Sequence, residues 1–225
     1  MVTRRRIIIV DDHPLFRAAL RQTLAGGDPS VAVEEAGDLA GLNAALEADR
    51  DCDLVLLDLN VPGARGFSGL LLLRAQYPDV PVMIISAVEE LDVIRSAIDL
   101  GASGYLRKSV GPPEIRRAIE TVLAGDVFIP EDTDAAPVDR VQADLMRRLA
   151  TLTPQQVRVL MMLSDGLMNK QIAYELSISE ATVKAHVSAI LQKLSVDSRT
   201  QAVIAASRIE KGQFDALLSS GRAPA

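Results

Sequence analysis

The sequence predicts an α/β protein: a five-stranded, parallel, doubly wound sheet followed by an all-α unit of four helices. Three observations predict it. Over residues 1–125, five short β-rich apolar runs alternate with five amphipathic stretches, a pattern that builds a parallel sheet with helices on both faces. From about residue 148 the pattern is wholly helical. The charge divides at the same place: residues 1–146 hold 14 Lys/Arg and 24 Asp/Glu (net −10), whereas 147–212 hold 9 and 5 (net +4).

The predicted strands are Arg6–Val10, Val31–Ala36, Asp53–Asp58, Pro81–Ser86 and Ser103–Leu106. The runs RIIIV, LVLLD and VMIIS are almost continuously apolar, as suits strands buried on both faces. Helical patterns fall near 14–26, 38–48, 66–76, 89–100 and 112–124. Residues 126–147 carry two prolines and many Asp, and are expected to form a linker ending in a short helix. In the second unit, 148–212, Thr153-Pro154-Gln155-Gln156 reads as a helix start, with a Thr cap, Pro at the first position and Gln at the third. Gly166 suits the stop. Helices are then expected over Asn169–Leu176, from a Ser179 cap to about Leu194, and from Ser198 to Ile209. Residues 213–225 are expected to form a flexible tail.

Composition narrows the class. No apolar run reaches the roughly 18 residues of a membrane helix. The basic start MVTRRR is followed only by IIIV before Asp11, short of the ~7–15-residue apolar region of a signal peptide. A cytoplasmic protein without a membrane partner is expected. One cysteine, Cys52, near the start of the third strand, agrees with a reducing compartment and a structural role. With two His and one Cys, an all-protein zinc site is not expected.

Ligands of open parallel sheets bind beyond the strands' carboxyl ends. There the first strand ends in Asp11-Asp12, the third in Asp58 and the fourth in Ser86, and the fifth is followed by Lys108. Clustered carboxylates repel unless a cation neutralises them. Oxygen-only donors suit Mg²⁺ with a phosphate, and a carboxylate can form an aspartyl-phosphate. A lone Asp at a strand end is usually a cap or ion-pair partner; the five-position set in strand order is what points to phosphoryl chemistry. Phe16 reads as core, and His13 as a loop residue.

The stretches IIIVDDH, LVLLDLNVPG, VMIISA and GASGYLRKS resemble the receiver domain of two-component response regulators, which has a flavodoxin-like fold. The resemblance covers about residues 5–125. It implies that Asp58 takes phosphate from a sensor histidine kinase. It implies Mg²⁺ held by Asp11, Asp12, Asp58 and the backbone carbonyl of Asn60. Ser86 and Lys108 become the phosphate-switch pair, and Tyr105 the aromatic that reorients with them. Ser109 stands where many receivers have proline.

In the second unit, Val183, Val187, Ile190, Leu191 and Leu194 form one apolar helical face. Ala181, Lys184, Ala185, Ser188 and Gln192 form the other. A helix this small and polar on one side fits the major groove, although on its own it better suits a solvated bundle face. The run LTPQQVRVLMMLSDGLMNKQIAYELSISEATVKAHVSAILQKL, followed by VDSRTQAVIAA, resembles the LuxR-type helix-turn-helix over about residues 150–207. This implies DNA binding, with Thr182, Lys184, Ala185, His186 and Ser188 facing the groove. Asn169 and Lys170 become phosphate contacts, and the last helix a homodimer surface. Gln155 stands where that family often has Arg. Together the halves resemble the NarL/FixJ subfamily of response regulators, in which the receiver gates binding to double-stranded DNA.

Three other functions fit parts of the pattern. An aspartyl-phosphate-type hydrolase would need a second acid after Asp58, where position +2 is Asn60. A ligand-sensing LuxR-type regulator would want an apolar cavity, for which aromatics at 3% are few. A pseudo-receiver would lack the complete acid set.

Overall fold

The computed structural model describes residues 5–25, 30–135 and 139–219. Five strands form one all-parallel sheet: β1 Arg5–Val10, β2 Val31–Ala36, β3 Leu54–Asp58, β4 Val82–Ser86 and β5 Gly104–Arg107. Their order is β2-β1-β3-β4-β5. Every residue of β3 and β4 is buried, as their unbroken apolar runs require.

The crossovers place helices on both faces. α1 (Pro14–Ala25) and α5 (Pro112–Leu123) cover Ile7, Ile9, Leu56 and Ile85. α2 (Leu39–Ala48), α3 (Ser68–Gln76) and α4 (Leu91–Asp99) cover Ile8, Val10, Leu57 and Ile84. α5 starts with Pro112-Pro113, where a missing N–H costs no helical bond. The chain goes from β1 to one side of the sheet and then returns to the other. The order therefore reverses between β1 and β3, and their carboxyl ends flank the crevice where such sheets bind ligands.

The segment read as a linker is tied down. Phe128 forms a parallel bridge with Gly104: its N–H donates to Ser103 O, and its carbonyl accepts from Tyr105 N–H at 2.9 Å. A Cβ on residue 104 would lie 3.0 Å from that carbonyl, so glycine permits the approach. The added backbone covers the β5 edge, which would otherwise be open for pairing. A 3₁₀ turn at Glu131–Ala135 follows, then α6 (Arg140–Leu149). The Asp139 carboxylate caps α6 by accepting from Val141 and Gln142 N–H. A short terminal helix was expected here; its contacts were not. Gln142 Nε2 donates to Ser96 Oγ of α4 at 2.8 Å.

The second unit holds α7 (Pro154–Ser164), α8 (Asn169–Glu175), α9 (Glu180–Leu194) and α10 (Arg199–Ser219). The expected Thr153–Gln156 box forms, with both reciprocal bonds present. α10 runs as helical backbone beyond the expected end at Ile209, since the following residues include Gln, Ala and Leu, good helix formers. Residues 220–225 of the expected tail lie outside the described residues.

The two units share a core. The face of the sheet lined by Ile8 and Leu57 continues through α3 and α4 into Met146, Leu160, Ile190 and Ile209. Two polar contacts reinforce the junction. The Phe67 N–H, at the start of α3, donates to Ile209 O of α10 at 2.9 Å, and Arg65 pairs with Asp165. Between them opens a cleft of about 620 Å³, lined by Asp12, Asn60, Arg65, Arg158, Met161 and Asp165 among others.

Candidate functional site

The crevice between β1 and β3 gathers the predicted set. Asp11 and Asp58 are 1% and 3% exposed, at the ends of the two central strands. Lys108 follows β5 and reaches across to both: Nζ lies 2.6 Å from Asp11 Oδ2 and 2.7 Å from Asp58 Oδ2. Its backbone N–H donates to Ser86 O at 2.8 Å, which anchors the base of the side chain. Asp12 is exposed, and its Oδ1 lies 2.6 Å from His13 Nδ1. The His13 N–H donates to Asp11 Oδ1 at 2.7 Å. Ligand atoms of Asp11, Asp12, His13 and Asp58 all fall within 4.8 Å of one another.

Electrostatics follow burial. Burial pushes the Asp58 carboxyl above its usual value, against the hydrogen bond and charge of Lys108 and the N–H of Asn60. Burial also works against the Lys108 charge, but its bonds to Asp11 and Asp58 prevail and hold the ammonium above its usual value. Asp58 and Lys108 thus form a charged pair held at a cost. Such a centre is ready to accept a group that delivers further oxygens to the ammonium.

The remaining predicted members cluster around this pair. Ser86 is fully buried, and its Oγ accepts from Val88 N–H at 3.2 Å. Tyr105 is 0% exposed, and its hydroxyl donates to Val88 O at 2.8 Å. Burial raises that phenol above its ordinary value. Ser109, in the place of the family's proline, donates to Glu89 Oε1 at 2.7 Å. Asn60 lies in the loop after β3, and its side-chain Oδ1 is buried without a partner among the described residues. Cys52 is buried away from this site, its thiol pushed up to about 11 by burial, which leaves it an unreactive packing residue.

The second unit presents a different surface. The Ser179 hydroxyl caps α9 by accepting from Thr182 N–H at 3.0 Å and touches Thr182 Oγ1 at 2.7 Å. The turn before it passes through Ser177 at φ 54°, which lets α8 and α9 meet at an angle. Val183, Ile190 and Leu194 are buried. Thr182, Lys184, Ala185, Ser188 and Gln192 stand in solvent. Glu180 Oε1 lies 3.1 Å from Lys184 Nζ. His186 is half-buried, because it sits one turn from both Val183 and Ile190. On α8, Lys170 is exposed, whereas Asn169 is half-buried and its Oδ1 accepts from Arg199 at 3.3 Å.

The comparisons cover both units. Residues 7–120 match the family model described as the response regulator receiver domain, and 150–206 that of bacterial regulatory proteins of the luxR family. The glycerol metabolism activator of Pseudomonas putida is 42% identical over 91% of this chain and 96% of its own length. The nitrate/nitrite response regulator protein NarP of Escherichia coli is 38% identical over 88% and 93%. The chain is a LuxR-type response regulator. Such proteins couple a receiver to a DNA-binding domain and control transcription. Among solved structures, a LuxR family DNA-binding response regulator from Silicibacter pomeroyi is 35% identical, with a TM-score of 0.51 over 57% of this chain and 98% of its own. RcsB from Salmonella enterica serovar Typhimurium, bound to a promoter, shares the fold: TM-score 0.56, 22% identity, 91% and 98% covered.

Three features of this response regulator escaped the sequence reading. Tyr174 is 83% exposed on α8, one turn from Lys170; the i, i+4 spacing was the available signal. Arg199 binds Asn169 and the Leu167 carbonyl, a contact across 30 residues that no local pattern announces. Phe16, read as core, packs against Lys108, with Nζ 4.8 Å from its ring centroid.

Proposed function

We propose that Asp58 is the phosphoacceptor of this regulator and that α9 enters the major groove of its target DNA. One observation carries the reading: Lys108 bridges two buried carboxylates at the point where the strand order reverses. A carboxylate oxygen of Asp58 would attack the phosphorus of a phosphohistidine on a sensor kinase. The P–N bond breaks, and the imidazole nitrogen keeps the electron pair and takes up a proton. Lys108 moves from sharing Asp58 to holding the phosphoryl oxygens, with the Ser86 hydroxyl donating beside it. Tyr105, bonded through Val88, follows the Ser86 loop.

The donors fit magnesium. Asp11, Asp12 and Asp58 offer hard carboxylate oxygens within one small volume, and the Asn60 loop adds polar oxygen. Asp11, Asp12, Asp58 and the Asn60 carbonyl would hold Mg²⁺. When bound, it offsets the charge between these carboxylates and the incoming phosphate. Asp58 then serves as a stoichiometric acceptor, not as a turnover site for another substrate.

For DNA, Lys184, Ala185, Ser188 and Thr182 are the groove-facing positions, with Lys170 and Tyr174 for the phosphate backbone. His186 joins them from the flank of the helix, and Asn169, held through Oδ1 by Arg199, keeps its N–H donors for the same backbone. The output passes through the junction. The loop after Asp58 grips Ile209 and Asp165, and α4 grips α6 through Ser96 and Gln142. With α9 already facing outward, the receiver controls how α10 pairs with a second copy, not whether α9 is covered. Residues 1–125 act as the receiver, 126–147 as its link, and 148–212 as the DNA-binding domain. The protein works in the cytoplasm, where kinase and chromosome meet.

Labelling with acetyl phosphate and Mg²⁺ tests the acceptor. Wild type takes one phosphate and binds its operator more tightly; Asp58→Asn takes none and shows no gain. Equal labelling of the two proteins would refute the assignment.

A further inference from the structure

We infer that Phe16 is a positioning residue for Lys108, its ring face holding the ammonium over the acceptor carboxylate. The inference rests on the reading of Asp58 as the acceptor. Phe16 is the third residue of α1, and its N–H donates to His13 O at 3.1 Å, so one hydrogen-bonded turn links the ring's backbone to the acid loop. The ring is half-buried and packs on the sheet face under α1 and α5. Lys108 Nζ lies 4.8 Å from its centroid, within the range of a cation–π contact.

Lysine is a mobile point charge on a four-carbon stem. Its ammonium here donates to Asp58 Oδ2 and pairs by charge with Asp11 Oδ2, with the ring as a further neighbour. Both carboxylates change during the proposed cycle: Asp58 becomes an acyl phosphate, and Asp11 is one of the cation ligands. Phe16 alone keeps the same chemistry throughout. It neither ionises nor binds a hard metal, and it blocks the ammonium from swinging toward α1. A plain packing role would need only bulk. A positioning role needs a π face.

Substitutions that separate bulk from π face provide the test. Phe16→Leu keeps apolar volume and loses the ring, whereas Phe16→Tyr and Phe16→Trp keep it. The rate of labelling by acetyl phosphate should fall roughly 3–10-fold in Phe16→Leu, and by less than about twofold in the two aromatic variants. Thermal melts should show all of them folded. In the unphosphorylated, metal-free protein, the Lys108 ε-protons, assigned by their loss in Lys108→Arg, should shift upfield from the ring current and lose that shift in Phe16→Leu. Full-rate labelling of Phe16→Leu, or a Phe16→Tyr as slow as Phe16→Leu, would overturn the inference. If wild type takes no label, the acceptor reading fails, and the proton shift still decides the contact: unshifted ε-protons overturn it.

Discussion

At the sheet edge, Asp11, Asp58 and Ser86 are buried and share their partners. On α9, Lys184, Ala185 and Ser188 face water, and only Lys184 has a charged partner, the exposed Glu180. The difference is one of dielectric and of coupling. In the crevice each charge is held by its neighbours, so moving one member moves all of them. On the helix each side chain is screened and acts nearly alone. The first arrangement suits a switch with two states. The second suits an additive reading of DNA, where affinity accrues contact by contact. The junction between them combines the two, with a continuous apolar core and a few polar bonds around the Asp58 loop.

Three changes would break or sharpen this contrast. The largest effect is expected at the junction. Gly66 sits at φ +52°, and a Cβ there would fall inside contact distance of the Ile209 carbonyl. Gly66→Ala should separate the units, raise the radius of gyration in small-angle scattering, and cost about 1 kcal/mol in receiver stability. An unchanged scattering curve would show that the shared core alone holds the junction.

The additive surface should respond less. Lys184→Ala is expected to weaken operator binding about tenfold. If Lys184 contacts phosphate, the salt slope also falls by about 1; if it contacts a base, discrimination at one position relaxes instead. A loss of all binding would mean that α9 is coupled as tightly as the crevice.

The smallest effect separates the two regions by pH. The Asp58 carboxyl is raised in the fold, so the folded state binds its proton more tightly than the unfolded chain. Its destabilisation is absent in acid, grows as pH rises through the unfolded carboxylate value near ~4, and is complete above the folded value. Asp58→Asn should therefore melt a few degrees above wild type at about pH 7, with the gap closing toward about pH 4. Lys184→Ala should show no such crossing.

Local patterns announced much of this. Thr153 and Gln156 form their capping box because both bonds span three residues. Ser179 caps α9 for the same reason. His186, read as groove-facing, is half-buried, because a helix position is a matter of angle, and its neighbours one turn away are Val183 and Ile190. Asn169, read as a phosphate contact, accepts through Oδ1 from Arg199, a partner distant in the chain, and keeps its N–H donors.

By itself, then, the sequence determined which residues stand at the strand ends, which runs are buried, and which helix carries a polar face. Periodicity and caps act over a few residues, so they can be read along the chain. Only the tertiary structure decided that Lys108 divides itself between Asp11 and Asp58 against the ring of Phe16, and that the Asp58 loop grips α10. Those contacts join residues tens to more than a hundred positions apart, and their geometry is set by the packing of whole helices against the sheet.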